Sequence, residues 1–257
     1  MACVERPAPA ADWQGRPVVV AGAGVSGAAA ARVLRDLGAR VVVADSSDER
    51  AEPLRADGFD VRDLDAPLED TSLVVTSPGW RPTAPLLAAA AAHGVEVWGE
   101  VELAWRLGEE RGHAAPWLAL TGTNGKTTTV RMLEQILTAA GLRAVATGNV
   151  GLPVLDAVLA PEPYDVLAVE LSSFQLHWSS SLRPAAAAVL NVADDHTDWH
   201  GSFSEYALAK ARVWGGPVSV GNADDEVTRT LLNRAPGRRV TFTLQAPREG
   251  ELGVVRV

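Results

Sequence analysis

The sequence predicts an α/β fold of two parallel-sheet domains in tandem, and three observations carry that expectation. Short apolar runs alternate with Ala-rich helical patterns that stop at glycine, the pattern of parallel strands joined by helical crossovers. Gly22-Ala-Gly-Val-Ser-Gly27 follows the first such run and opens a helix, the signature of a Rossmann-like unit. Trp117 to Thr129, WLALTGTNGKTTT, repeats the strand–loop–helix order around a Lys-Thr pair, as in a phosphate-binding loop of the P-loop ATPase type.

The expected first domain covers residues 1–98. Its opening stretch, MACVERPAPAADWQG, has no apolar core of the kind a signal peptide needs. Pro17 to Ala21 reads as a buried strand, the glycines lead into a helix ending at Gly38, and Arg40 to Ala44 is the second strand, ending at Asp45. An acidic residue about 20 positions beyond the glycines is where dinucleotide folds hold a ribose. The residues taken alone therefore suggest NAD, or glycines that only let helix and sheet approach closely. Ser72 to Thr76 is a third strand, Pro85 to His93 a helix, and Val95 to Trp98 a further strand. Loops at the carboxyl ends of such strands carry ligands, which singles out Val25, Ser26, Asp45, Ser46, Ser77, Pro78 and Gly79. A helix over 100–107 and the polar stretch to Pro116 are read as a connector.

The expected second domain covers residues 99–257. Gly122 and Gly125 let backbone N–H groups turn inward, and the following helix adds the positive end of its dipole. Val130, Leu133, Ile136 and Leu137 are expected on its buried face. Leu120 stands where the general P-loop pattern has its first glycine, so the loop is a variant. Gly122, Thr123, Asn124, Gly125, Lys126, Thr127, Thr128 and Thr129 are the candidate ATP-binding residues. Lys126 supplies charge to the β- and γ-phosphates, and the Thr127 hydroxyl is placed to ligate Mg²⁺. Three more strands, over 142–146, 165–169 and 185–190, deliver Asn149, Glu170 and Asp194-Asp195-His196 to the edge that carries the loop. Glu170 is the natural carboxylate partner of Thr127 on a metal. His196 follows a buried strand and two aspartates, which points to a metal or phosphate role beside the plainer one of a turn residue. Ser202-Phe-Ser-Glu205 fits a capping box. On the helix it starts, Lys210 lies within a stripe of Phe203, Tyr206, Ala207, Val213 and Trp214. It either snorkels to water or faces inward, where an ammonium is costly unless neutralised or converted to an anion. The last strands are expected over 217–220 and 239–244, with a helix from about Asn222 between them. The chain stops at Val257 inside the apolar run from Leu252 and is read as cut short.

Composition narrows the function classes. The net charge of −9 gives no general attraction to nucleic acid or anionic membrane, so anionic ligands must be held by local sites. No apolar run approaches the ~18 residues of a membrane span. The single cysteine, Cys3, excludes an internal disulfide and fits a reducing cytoplasm.

Assembled, these motifs resemble the Mur ligase family of peptidoglycan synthesis from about Gly15 onward. The resemblance rests on Thr121-Gly-Thr-Asn-Gly-Lys-Thr-Thr128, Gly148-Asn-Val-Gly151, Glu170-Leu-Ser-Ser-Phe-Gln-Leu176, Asn191-Val-Ala-Asp-Asp-His196 and Tyr206-Ala-Leu-Ala-Lys210. The Phe-Gln after Ser-Ser, with Gly22 to Gly27 and Ser77-Pro-Gly79, points to the D-glutamate-adding member. The resemblance implies an ATP-dependent amide ligase acting on UDP-N-acetylmuramoyl-L-alanine and D-glutamate through an acyl phosphate. It implies UDP rather than NAD in the first domain, with help from Asn149 and Ser172. It also implies two Mg²⁺ sites, with Thr127 and Glu170 on one, and His196 and a carbamylated Lys210 on the other. Lys126, Glu170, His196 and Lys210 become the catalytic candidates. A cytoplasmic monomer is expected, and the family's third domain, which carries much of the D-glutamate site, is absent from this sequence. A nucleotide-binding module or a P-loop ATPase acting on a partner is the alternative.

Overall fold

The computed structural model describes residues 12–64, 68, 70–112 and 115–254. Cys3, the rest of the N-terminal stretch to residue 11, and Val255 to Val257 of the last apolar run lie outside the described residues. The chain divides into two compact units, Met1–Ala114 and Ala115–Val257.

The first unit is built in the order β1 (Pro17–Ala21), α1 (Val25–Asp36), β2 (Arg40–Ala44), α2 (Asp48–Ala56), β3 (Asp60–Arg62), β4 (Leu73–Thr76), α3 (Pro85–Ala92), β5 (Glu96–Gly99) and α4 (Glu100–Glu110). The strands pair in parallel in the order β3-β2-β1-β4-β5. Strands β1 and β4 are valine-rich and buried on both faces, as β-branched runs covered by helices on each side should be. The order reverses direction between β1 and β4, so the turn after β1 and the turn after β4 stand side by side. Ala30 and Ala31 of α1 and Ala90 of α3 have no exposed surface; small side chains let these helices lie close.

The first compact unit extends to Ala114, past the Trp98 at which the sequence reading ends its domain. Helix α4 is part of the first unit because Val101, Leu103, Ala104 and Leu107 are buried and it packs on β4, β5 and α1. Helix α2 and strand β3 carry few apolar residues, and no sequence pattern announces them. Ser47 nonetheless caps α2 through a bond from Arg50 N, despite Pro53 inside it.

The second unit runs β6 (Trp117–Thr121), α5 (Lys126–Ala139), β7 (Ala144–Gly148), α6 (Val154–Val158), β8 (Val166–Glu170), α7 (Ser173–His177), β9 (Ala186–Val189), α8 (Thr197–His200), α9 (Phe203–Ala211), β10 (Val218–Asn222), α10 (Glu226–Leu232), β11 (Arg238–Thr243) and β12 (Glu251–Gly253). All seven strands are parallel, in the order β12-β11-β10-β9-β6-β8-β7. Strand β6 lies between β8 and β9, which places their carboxyl ends around the loop that β6 feeds.

Helix α5 departs from expectation at one position. Val130 is fully buried and Leu133 and Leu137 pack with the core cluster, but Ile136 is 66% exposed. With Met132 it borders an open groove of about 430 Å³ over Leu118, Leu120, Ala186, Ala188 and Val220. On α9, Tyr206 and Ala207 are buried as expected and Lys210 takes the inward of its two readings, whereas Phe203 is partly exposed. No helix among the described residues is long and apolar enough to cross a membrane.

The turn between β1 and α1 tolerates no side chain at Gly27, where a Cβ would lie 1.8 Å from the Gly22 carbonyl oxygen. A Cβ on Gly24 meets nothing within 4 Å. Gly27→Ala is expected to cost at least ~1–3 kcal/mol, as overpacking against backbone does, and Gly24→Ala no more than ~0.5 kcal/mol. Denaturant unfolding of the two variants measures the contrast.

Candidate functional site

In the first unit the glycine turn is organised by Asp45. Its carboxylate accepts from Ala23 N (2.7 Å) in that turn, from Ser47 N (2.8 Å), and from Arg50 Nε (3.0 Å) and Nη2 (2.8 Å). Burial alone would raise the Asp45 carboxyl, but the Arg50, Ala23 and Ser47 bonds outweigh it and hold it below the usual carboxylate value. Four donors of its own chain use the carboxylate that the sequence reading offers as a ligand contact. Ser46 is exposed beside it, and Val25 at the start of α1 is 78% exposed. Ser77, Pro78 and Gly79 follow β4, and Ser77 lies against the glycine turn, its Oγ 2.6 Å from where a Cβ on Gly22 would be.

In the second unit the loop after β6 closes tightly. Gly125 takes φ +79° as the N-cap of α5, a left-handed conformation that favours glycine. Asn191, at the end of β9, clamps the loop reciprocally: Asn124 N donates to its Oδ1 (2.9 Å) and its Nδ2 donates to Asn124 O (3.0 Å). Thr123 Oγ1 accepts from Ala193 N at 3.0 Å and shares a 2.9 Å bond with the Tyr206 hydroxyl. The roles of Asn191, Thr123 Oγ1 and Tyr206 as fasteners were not legible in the sequence; only their membership of matched motifs was.

The chain has two lysines, and both donate to the same carbonyl. Lys126 Nζ lies 2.9 Å from Gly122 O and 3.0 Å from Thr123 O, and Lys210 Nζ lies 2.9 Å from Gly122 O. Lys210 is 2% exposed, which excludes snorkelling. Its amine is pushed down to about 7, first by burial and then by Lys126, with Asp195 opposing. Its Nζ stands 4.6 Å from the centre of the Tyr206 ring.

Glu170 ends β8 next to Leu120. Its Oε1 accepts from Asn149 Nδ2 at 2.9 Å, while its Oε2 is buried without a partner, as is Thr121 Oγ1. Buried polar atoms are normally paired, and these two lie at the carboxyl ends of β8 and β6. Thr127 and Thr128 are exposed at the start of α5, and Thr129 Oγ1 donates to Gly125 O. Ser172 Oγ accepts from Gln175 N and caps α7. His196 adopts φ +50°, a strained backbone that costs roughly 1–3 kcal/mol and tends to mark functional turns. Its ring packs on Phe174 (4.7 Å between centres) and its Nε2 is 3.4 Å from Asp195 Oδ2. His200, bonded through Nε2 to Ser173 Oγ, is pushed down to about 4, chiefly by burial. Among the described residues no three His, Cys, Asp or Glu side chains converge as a metal cage. A single half-paired carboxylate does suit Mg²⁺, which keeps several waters and takes phosphate oxygens as ligands.

The family model of the Mur ligase middle domain matches residues 120–252, and that of the MurD-like N-terminal domain matches residues 16–99. The UDP-N-acetylmuramoylalanine--D-glutamate ligase of Streptomyces avermitilis is 56% identical over 258 residues, covering 95% of this chain and 55% of that protein. The protein of that name from Thermobifida fusca is 55% identical over 260 residues, with the same coverage. The chain thus spans about half the length of the curated relatives it matches. Its fold is similar to that of UDP-N-acetylmuramate-alanine ligase from Thermotoga maritima, with a TM-score of 0.50 at 24% identity over 90% of this chain and 53% of that one.

The Asp45 cluster sets a pH dependence. A carboxyl held below its unfolded value near 3.8 stabilises the fold above that value, and the contribution fades as pH falls through the lower folded value. Asp45→Asn should therefore be less stable than the unaltered chain at pH 7, with the gap shrinking below about pH 4. Urea unfolding across pH reads it; a gap independent of pH would contradict the assignment.

Proposed function

The chain belongs to the Mur ligase family, and we propose that the protein carrying it joins D-glutamate to UDP-N-acetylmuramoyl-L-alanine with cleavage of ATP, in the cytoplasmic synthesis of peptidoglycan precursor. The observation that carries this is the pairing, at one strand edge, of two lysines on Gly122 O with a buried carboxylate oxygen, Glu170 Oε2, that has no partner. Cationic donors await a polyanion there, and a lone carboxylate awaits the cation that accompanies it.

In this reading the backbone of Gly122 to Thr128 and the start of α5 hold the ATP phosphates, with Lys126 swinging from the loop carbonyls to the β- and γ-oxygens. Thr127 and Glu170 would hold one Mg²⁺, and His196 with Lys210 a second; the ions would neutralise charge on the transferred phosphoryl group. The substrate carboxylate attacks the γ-phosphorus and ADP leaves. The amine of D-glutamate then attacks the acyl carbon, inorganic phosphate departs, and the nitrogen loses a proton to give the amide. Lys210 enters as a carbamate, formed when its neutral amine attacks CO₂ and loses a proton. An amine held near 7 has that neutral form available at physiological pH. Asn149 bonds to Glu170 Oε1 and leaves the other oxygen without a partner. The first unit holds the UDP portion at Gly22 to Gly27 and Ser77 to Gly79.

Lys126→Ala should weaken Mg-ATP binding by about 1.5–3 kcal/mol, the worth of a charge-assisted contact, measured by calorimetry; unchanged affinity would exclude this loop as the ATP site. For Lys210, ¹³C-bicarbonate should give a single carbamate NMR signal that Lys210→Ala removes. The same substitution should abolish amide formation by the complete protein, with partial return on adding a short carboxylic acid. Persistence of both signal and activity in Lys210→Ala would reject the role.

A further inference from the structure

Helix α8 is too short to hold itself. It has four residues, Thr197–His200, and a single turn fixes its dihedrals for too few bonds to persist alone. Yet it carries the strained residue of the site. His196 is its N-cap at φ +50°, and Trp199 N and His200 N both donate to His196 O at 3.1 Å. Loosening α8 therefore releases the backbone that sets where the His196 ring stands.

The turn is anchored on α7. Trp199 packs edge-on against Phe174 and His177, at 4.9 and 5.0 Å between ring centres. His200 stacks flat on Phe174 at 5.6 Å, and its Nε2 shares a 3.0 Å bond with Ser173 Oγ. Apolar ring contacts are non-directional and tolerate sliding; the bond has a length and a direction. Its partner stands on a fixed platform. Ser173 is 2% exposed and opens α7, whose start is locked by the reciprocal capping box of Ser172 and Gln175. Glu170 ends β8 three residues earlier, and Leu171 N bonds to Leu120 O at 2.9 Å. The Ser173–His200 bond is thus a short tie between the strand end that bears Glu170 and the turn that bears His196. Phe174 lies against both rings, 4.7 Å from His196 and 5.6 Å from His200.

We propose that His200 is a positioning residue of the second unit: through its bond to Ser173 it fixes the turn that presents His196 to a divalent cation, and it acts on that cation only through His196. This rests on the reading that His196 is a metal ligand. Outer-shell partners of metal-binding histidines are worth about 10–100-fold in metal affinity, which sets the size of the effect.

The test uses Mn²⁺ in place of Mg²⁺ on the 257-residue chain with saturating ADP. Mn²⁺ broadens the imidazole NMR signal of a nearby histidine, and His196→Gln identifies the signal by its loss. His200→Phe keeps the ring stack without the bond, Ser173→Ala removes the partner oxygen, and His200→Gln restores an amide that donates and accepts. His200→Phe and Ser173→Ala should each need about tenfold more Mn²⁺ for the same broadening, with His200→Gln near the unaltered chain. ADP affinity without metal, read by calorimetry, should not change in any of them. Ser173→Ala carries the test if His200→Phe lowers the melting temperature. An unchanged Mn²⁺ requirement in the variants lacking the bond would overturn the proposal. So would a parallel fall in metal-free ADP affinity, which marks general damage, or a His200→Gln as weak as His200→Phe, which assigns the effect to the ring. Absence of broadening in the unaltered chain would instead strike the reading of His196 as a ligand.

Discussion

Both lysines of this chain bond to the carbonyl oxygen of Gly122, and the architecture of the second unit follows from what that arrangement costs. Two ammonium groups sharing one acceptor are held within about 6 Å of each other. Like charges ~5–6 Å apart repel by roughly 3 kcal/mol at an effective dielectric of ~20. Burial adds to the penalty on Lys210, whose amine sits near 7 instead of at its ordinary value of 10.5. Such a cluster persists only where the surrounding structure over-determines it. Asn191 grips the loop through both amide groups, Thr123 ties it to Tyr206, and the Tyr206 ring backs the Lys210 amine. The fasteners come from the end of β9 and from α9.

The two buried strand-end carboxylates show how pairing separates structure from chemistry. Asp45 and Glu170 are both nearly inaccessible, and both close a parallel strand. Asp45 receives four bonds from its own chain and is complete; its work is to fix the glycine turn against the start of α2. Glu170 receives one bond, from Asn149, and keeps Oε2 buried and unpaired. An unmet buried oxygen costs about 1–3 kcal/mol, an arrangement that makes sense where a ligand completes it.

Much of this was legible in the sequence, and the reasons are physical. Strands buried on both faces must be continuous apolar runs, so β1, β4, β6 and β8 announce themselves, and the residues that follow them fall at the carboxyl edge by topology alone. Lys210 was legible because a charge within an apolar helical stripe is an anomaly. What escaped depends on partners far along the chain. Nothing near Asp45 in sequence says that Arg50 folds back onto it, since a helix of such polarity as α2 gives no amphipathic signal. Ile136 fits the buried face of α5 by spacing but borders an open groove, because periodicity reports which residues share a face and not whether that face is covered.

The choice of cation sharpens the picture. Of 23 basic residues only Lys126 and Lys210 are lysine; the rest are arginine, spread over the surface in pairs such as Arg32–Asp57 and Arg62–Asp60. Arginine stays charged everywhere and offers a fixed fork, which suits ion pairs. Lysine is a compact charge whose pKa moves when it is buried, and a neutral amine is a nucleophile. A chain with net charge −9 that is to bind polyanions cannot rely on its overall field. It must place compact, adjustable charges at one point, and this one places both of its lysines on a single carbonyl.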